Sequence, residues 1–176
     1  MTEKKTQREF IQLDIAILTI SDSRTNDTDK SGDKIVDLIE QAGHKRHEKR
    51  IVPDDKYAIR AAVSQWIVDE KIQVVLTTGG TGVTGRDGTP EAVNVLFDKT
   101  IDGFGETFRA ISFQQIKTST MQSRAIAGVA NGTYIFCMPG SIGACKTAWE
   151  ELIRHQLDYR TRPCNLVELM PRLREI

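Results

Sequence analysis

Cysteine is scarce in this sequence, and neither sign of charge is in excess. The three cysteines are odd in number, far apart and without a C-x-x-C pair, which argues against a disulfide framework and a zinc site. Lys and Arg together number 24, as do Asp and Glu, so no overall field attracts nucleic acid or an anionic membrane. No apolar run approaches a membrane span, and MTEKKTQREF lacks the apolar segment of a signal peptide. These absences predict a soluble, cytoplasmic protein without nucleic-acid or membrane partners.

Apolar runs alternate with segments of helical periodicity in the first half of the chain. Ile11–Ser21 and Ile72–Thr78 are nearly continuous apolar runs, as expected of buried parallel strands. Between them the spacing predicts a helix over residues 30–42, a short strand over 47–52 and a second helix after Pro53. This order of elements is typical of an α/β fold with a parallel sheet.

The second half contains a third helix start, a further buried strand and a last helix. Thr89 is a good N-cap and Pro90 suits the first helical position, so a crossover helix is predicted to begin there. Residues 132–138 are predicted to form a buried strand and residues 142–157 a helix. Residues 101–130 show no clear element boundary, so their structure stays open. The three histidines lack ligand spacing and are predicted to lie at the surface.

A glycine-rich stretch, TTGGTGVTGRDGTPEA, follows the strand that ends at Thr78. It contains G-x-G-x-x-G, but in a dinucleotide fold the third glycine opens a helix, and the helix signal here comes only at Thr89. A P-loop requires Lys and a hydroxyl residue where this chain has Arg86 and Asp87. Both nucleotide-binding motifs are therefore excluded. Two interpretations remain, a plain turn or a nest of backbone amides that binds an anion.

Two aspartates are predicted to lie beside this loop. Asp87 belongs to it and Asp54 follows the preceding strand, so in a parallel sheet both reach the same edge. Backbone amides carry no net charge, so several phosphates need further neutralisation, and Mg²⁺ held by these two carboxylates is the natural candidate. For Asp54 the alternative is a plain helix cap, and Asp22 is likewise either a cap or a site residue.

The glycine stretch is one of several motifs that occur together in one known family. TTGGTGVTGRDGTPEA, DGFGETFR, STMQSRAIAGV and MPGS, in this order, resemble the molybdenum cofactor biosynthesis proteins related to molybdopterin adenylyltransferase. The resemblance divides the chain into an N-terminal extension (1–12), a molybdopterin-binding α/β domain (13–165) and a C-terminal tail (166–176). It implies a three-layer α/β/α fold with a mostly parallel mixed sheet and a ligand site at the C-terminal ends of the strands. It also implies a homo-oligomer, trimer or hexamer, and transient contact with other molybdenum cofactor biosynthesis proteins.

The same resemblance implies a reaction. Adenylyltransferases of this family use Mg-ATP to transfer AMP to the terminal phosphate of molybdopterin, releasing pyrophosphate. By this resemblance Asp54 and Asp87 are catalytic and bind Mg²⁺, and ATP and molybdopterin are the substrates. The substrate- and phosphate-binding residues are then Ser21, Asp22, Ser23, Gly79, Gly80, Thr81, Gly82, Arg86, Thr89, Gly140 and Ser141. Arg86 either donates to the substrate or points to solvent, and Ser141 is also a good helix N-cap. The alternative function is a molybdopterin carrier or assembly protein without adenylyl transfer.

Overall fold

A six-stranded sheet forms the centre of the chain in the computed structural model, which describes residues 8–175. In chain order the strands are β1 (Asp14–Ile20), β2 (Lys45–Val52), β3 (Val74–Thr78), β4 (Lys99–Thr100), β5 (Ile126–Ala130) and β6 (Thr133–Met138). Across the sheet they lie in the order β2-β1-β3-β6-β5-β4. Strands β2, β1, β3 and β6 are mutually parallel, whereas β5 pairs antiparallel with both β6 and β4. The sheet is therefore mixed and mostly parallel, as predicted.

Helices cover both faces of this sheet. They are α1 (Lys30–Gln41), α2 (Lys56–Ile67), α3 (Thr89–Val93), α4 (Asp102–Ile116) and α5 (Ile142–Ala148), which continues through a π-helical turn (Trp149–Ile153) into α6 (Arg154–Gln156). Short 3₁₀ turns follow α3 (Asn94–Leu96) and α4 (Lys117–Gln122), and another lies near the C-terminus (Val167–Arg172). None of the helices within residues 8–175 combines the length and the apolar character needed to cross a membrane.

The two faces of β1 explain its uninterrupted apolar sequence. Ile15 and Ile17 belong to the core that α1, α4 and α5 cover, whereas Ala16 and Leu18 belong to the core under α2 and α3. All four side chains are fully buried. A strand between two helical layers has no solvent-facing side, so both alternating sets of residues are apolar. The result is the three-layer α/β/α arrangement.

The helix starts match the sequence in part. Asp29 caps α1 by accepting from Gly32 N, and Asp55 caps α2 by accepting from Tyr57 N and Ala58 N. Thr89 is not the N-cap of α3, in contrast to the prediction, because Gly88 holds that position and Thr89 is the first helical residue. The predicted crossover helix is also short, since α3 ends at Val93.

His44 corrects the prediction that all three histidines lie at the surface. Its side chain is only 4% exposed, packs against the rings of Phe10 and Trp149, and accepts a hydrogen bond from Leu13 N. Burial lowers the pKa of His44 to about 4, so the ring is neutral at physiological pH. It therefore behaves as a core residue with one satisfied nitrogen.

The segment after α6 packs back against the sheet. The hydroxyl of Tyr134 in β6 donates to Leu166 O at 2.9 Å, and Val167 is buried in the α1, α4 and α5 core. Arg8 pairs with Glu168 through its guanidinium, with a shortest N–O distance of 2.6 Å. Residues near both ends of the described chain therefore meet on this face.

Two glycines of α4 are predicted to respond oppositely to alanine. A Cβ on Gly105 would lie 2.4 Å from Ala125 O, whereas a Cβ on Gly103 would meet nothing within 4 Å. We expect Gly105→Ala to lower the free energy of unfolding by about 1–3 kcal/mol through overpacking, and Gly103→Ala to leave it unchanged or raise it by up to about 1 kcal/mol. Urea unfolding of both variants tests this, and equal effects would contradict the packing of α4 on β5.

Candidate functional site

The glycine loop, defined here as residues 79–82, leaves the C-terminal end of β3. Gly79 and Gly80 have positive φ angles of 106° and 65°. A Cβ on Gly79 would lie 2.2 Å from the backbone oxygen of Ile20, so only glycine fits there. Within residues 8–175 no backbone acceptor is found for the amide of Gly80 or of Thr81. Successive free amides after positive-φ glycines are the arrangement that binds anions.

Two residues hold the loop by its carbonyl groups. Thr89 donates to the first two, from Oγ1 to Gly79 O at 2.8 Å and from its amide to Gly80 O at 3.0 Å. Arg124 donates to the next two, from its amide to Thr81 O at 3.1 Å and from Nε to Gly82 O at 2.7 Å. All four carbonyl oxygens of the glycine loop are thus bound to protein donors.

These contacts change the role predicted for Thr89. Its side chain is fully buried and its hydroxyl is engaged with Gly79 O, so it supports the loop from within the protein and does not line a ligand cavity. Arg124 was not predicted, since an isolated Arg distant in sequence gives no sign of its partners. Its Nη2 also donates to Asp87 O at 3.1 Å, and its Nη1 pairs with Glu91 in α3.

Asp22 and Asp54 join the loops that follow β1 and β2. Asp22 N donates to Asp54 Oδ2 at 2.9 Å, and Asp54 N donates to Asp22 Oδ1 at 3.0 Å. Neither residue is a helix cap, because Asp29 and Asp55 cap the two helices concerned. The guanidinium of Arg86 forms two hydrogen bonds to Asp22, at 2.7 and 2.9 Å, which hold the pKa of Asp22 below its ordinary value. Arg86 is therefore exposed but paired.

Asp54 and Asp87 lie against neighbouring positions of the glycine loop. A Cβ on Gly80 would be 3.4 Å from Asp54 Oδ1, and a Cβ on Gly82 would be 2.6 Å from Asp87 Oδ2. Burial raises the pKa of Asp54 above its ordinary value, and the negative charges of Asp22 and Asp87 raise it further. The two distant carboxylates therefore share one edge of the sheet, close enough for each to influence the other.

The carboxylate of Asp87 is partly engaged within its own loop. Oδ2 accepts from Thr84 Oγ1 at 2.6 Å and from Thr84 N at 2.9 Å. The hydroxyl of Thr84 is the main cause that lowers the pKa of Asp87, so this group is ionised at neutral pH. Asp87 thus fixes the turn after the glycine loop, and the backbone of Gly82 also favours its ionised form.

The donors at this edge fit a magnesium ion better than a transition metal. Residues 8–175 contain no group of three or more His, Cys, Asp or Glu side chains arranged to hold a metal ion. Magnesium differs in that one or two carboxylates suffice when substrate phosphates and water complete its shell. The pKa of Asp54 is raised mainly by burial and also by the charges of Asp22 and Asp87, and a bound cation would favour its ionised form.

A cavity of about 480 Å³ opens beside the glycine loop. Its walls are the loop itself with Asp87, the turn before α5, and the C-terminal half of α4 with the 3₁₀ turn that follows. The predicted residues that line it are Gly79, Gly80, Thr81, Gly82, Asp87, Gly140 and Ser141. The lining residues that were not predicted are Phe108, Ser112, Gln115, Ile116, Ser119, Gln122, Ser123, Pro139, Gly143 and Ala144. Most of these come from the segment whose elements could not be assigned from sequence.

The remaining predicted residues lie outside this cavity. Ser21 and Asp22 line a second, more open cavity of about 600 Å³ together with Arg24 and Lys49. Ser21 Oγ accepts from the amides of Ser23 and Arg24, both at 3.2 Å, and so closes the turn after β1. The predicted set is thus divided between two cavities, and four of its members line neither of them: Ser23, Asp54, Arg86 and Thr89.

The turn before α5 has a structural role as well as a place in the first cavity. Ser141 is the N-cap of α5, its Oγ accepting from Ala144 N at 3.1 Å. Arg24 Nη2 donates to Gly140 O at 3.1 Å, which ties the loop after β1 to the turn after β6. The first and last loops of the parallel strands are therefore connected directly.

Comparison with known proteins identifies the family. Residues 16–159 match the family described as "Probable molybdopterin binding domain". The chain belongs to this family. It is 57% identical over 157 residues to molybdenum cofactor biosynthesis protein B of Escherichia coli strain K12, an alignment that covers 89% of this chain and 92% of the relative. The resemblance noted in the sequence motifs is confirmed, and membership supports a role in molybdenum cofactor biosynthesis.

Solved structures of family members share the fold. A crystal structure of molybdenum cofactor biosynthesis protein B superimposes with a TM-score of 0.83 at 48% identity, covering 85% of this chain and 94% of that one. The tungsten cofactor synthesizing protein MoaB from Pyrococcus furiosus gives a TM-score of 0.73 at 36% identity, with 80% and 90% covered. The predicted three-layer fold of the molybdopterin-binding domain is thereby confirmed.

The proximity of Asp54 and Asp87 predicts that the charge of Asp87 affects the pKa of Asp54. Because Asp54 has a raised pKa, the folded state holds its proton more tightly than the unfolded state, so stability falls as pH rises from 3.8 through the folded pKa. Asp87→Asn removes one of the charges responsible, and we expect the Asp54 midpoint to fall in ¹³C NMR titrations. Asp37→Asn, on the exposed side of α1, is the control. An unchanged Asp54 midpoint in Asp87→Asn would contradict the coupling.

Proposed function

We propose that this chain transfers AMP from Mg-ATP to the terminal phosphate of molybdopterin and releases pyrophosphate. One observation supports this most directly: two carboxylates from separate loops, Asp54 and Asp87, lie against a nest of backbone amides, and the nest and Asp87 line a ligand-sized cavity. A cavity of about 480 Å³ lies within the usual range for small-molecule sites. Amides alone would suit any anion, but acids beside them suit an anion that arrives with a divalent cation.

In this reaction the glycine loop would bind and orient the phosphate groups. The amides of Gly80 and Thr81 bind phosphate oxygens and fix the reacting groups in line, so catalysis rests mainly on positioning and on charge. The terminal phosphate of molybdopterin attacks the α-phosphorus of ATP, the bond to the bridging oxygen breaks, and pyrophosphate leaves. No covalent intermediate with the protein is required, and Cys137 and Cys145 are buried with pKa values raised to about 12 and about 11.

Asp54 and Asp87 would hold the magnesium ion. When bound, the ion offsets negative charge on the phosphates and on the departing pyrophosphate. Arg86, held over Asp22 by two hydrogen bonds, adds a fixed positive charge near the same edge. Ser21, Asp22 and Ser23 on that side would contact ATP, and Gly140 and Ser141 on the other would contact the pterin substrate.

A carrier without chemistry is the second candidate. The observation that favours it is the engagement of Asp87 Oδ2 by Thr84, which leaves fewer free oxygens for a metal. Such a protein would still bind molybdopterin at the glycine loop. Incubation with molybdopterin, Mg²⁺ and α-³²P-labelled ATP separates the candidates, because only an adenylyltransferase yields labelled adenylated pterin.

Loss of either carboxylate is predicted to stop turnover without unfolding the protein. We expect Asp54→Ala and Asp87→Ala each to lower kcat by at least about 100-fold, and Asp37→Ala to leave it unchanged. Asp54→Ala removes a carboxylate whose ionisation opposes folding, but it also removes the hydrogen bond from Asp22 N, so we expect its stability to change by less than about 1 kcal/mol. Labelled-pterin formation and thermal unfolding are the measurements. Full turnover in either site variant would refute its role.

We also propose that the chain forms a homo-oligomer, a trimer or hexamer. Large apolar side chains are exposed on α4 and in the turn after it, at Phe113, Ile116 and Met121, the last 79% exposed. Burial of this surface would favour association. Light scattering at micromolar protein concentration tests it, and a monomer mass at all concentrations would contradict it.

A further inference from the structure

Ser123 carries a hydroxyl group that no protein group satisfies. Its Oγ is buried and has no hydrogen-bond partner within residues 8–175, where Thr77 Oγ1 is the one comparable side-chain atom. A buried hydroxyl without a partner opposes folding, because it has lost its contacts with water. Ser123 lies between the cavity beside the glycine loop and another cavity that includes Arg109 and Arg124, and it lines both, whereas Thr77 lies within β3 and outside them.

The backbone around Ser123 is fixed relative to the amide nest. Ser123 N donates to Thr120 O at 3.0 Å, and the next residue, Arg124, donates from its amide to Thr81 O at 3.1 Å. The Arg124 side chain binds Gly82 O and Asp87 O, as described above. The unsatisfied hydroxyl is therefore attached to the segment that holds the loop, and its position follows that of the nest.

We propose that Ser123 is a substrate-binding residue whose hydroxyl, turned into the cavity by rotation about χ1, donates to a phosphate oxygen of the ligand held by the glycine loop, and that Arg124 is its positioning residue. The inference rests on the proposed function, since it takes a phosphate group as the occupant of the nest. A phosphate has enough acceptor sites to accept from Gly80 N, Thr81 N and the Ser123 hydroxyl together. Binding thus supplies the partner that the folded chain lacks.

Removal of the hydroxyl tests the contact. We expect Ser123→Ala to raise the Kd for molybdopterin, measured anaerobically by calorimetry, by about 10-fold, as for loss of one hydrogen bond to a charged group. The same change should weaken binding of inorganic pyrophosphate, which shares only the phosphate chemistry. The stability of Ser123→Ala should equal or exceed that of wild type. Thr77→Val, the matched control, should leave both Kd values unchanged.

The outcomes separate this inference from the proposed function. If wild type binds molybdopterin and Ser123→Ala binds it equally well, the role of Ser123 is refuted and the proposed function stands. A loss confined to molybdopterin, with pyrophosphate binding unchanged, also refutes it, because the contact is then with the pterin. If wild type binds neither probe, both the inference and the proposed function are overturned.

The positioning role of Arg124 has its own test. Arg124→Lys keeps the charge but cannot bind Gly82 O and Asp87 O together as a guanidinium does. In this background we expect Ser123→Ala to raise the Kd for molybdopterin by less than about 3-fold, because a displaced hydroxyl has little contact left to lose. A full 10-fold loss in both backgrounds would show that the two residues act independently, which would refute the positioning role.

Discussion

The architecture of the candidate site depends on hydrogen bonds to four consecutive carbonyl groups. Thr89 binds those of Gly79 and Gly80, and Arg124 binds those of Thr81 and Gly82. With these oxygens occupied on the protein side, the loop keeps the positive φ angles that only glycine adopts easily. The anion nest is thus a consequence of donors behind the loop as much as of the glycines within it. Asp54 and Asp87 lie against this fixed backbone, so their carboxylates are held close to the anion nest.

The site is assembled at an electrostatic cost. Asp54 is partly buried and lies near two other carboxylates, with Arg86 as a neighbouring cation, so its pKa is raised and the folded state disfavours its charge. The buried hydroxyl of Ser123 has no hydrogen-bond partner, so it also lowers the free energy of unfolding. Both lie at the glycine loop, while the large apolar cores on either side of the sheet supply the stability that tolerates them.

Much of the fold could be predicted because the strands lie between two helical layers and carry uninterrupted apolar runs. The convergence of Asp54 and Asp87 followed from the same parallel arrangement. Helix α4 could not be recognised, since its buried Phe104 and Phe108 are followed by exposed Phe113 and Ile116, which breaks the amphipathic stripe. Arg124 and the buried His44 were missed for another reason: side-chain partners distant in sequence leave no local pattern.

The donors that hold the glycine loop have a consequence for biosynthesis of the chain. The loop itself follows β3, but the residues that fix its carbonyls belong to the start of α3 and to the segment just before β5. A nascent chain emerges from the ribosome in sequence order. The glycine loop is therefore synthesised before Thr89 and Arg124, the two residues that bind its carbonyl groups. It reaches its final conformation only after Arg124 has emerged and packed against it.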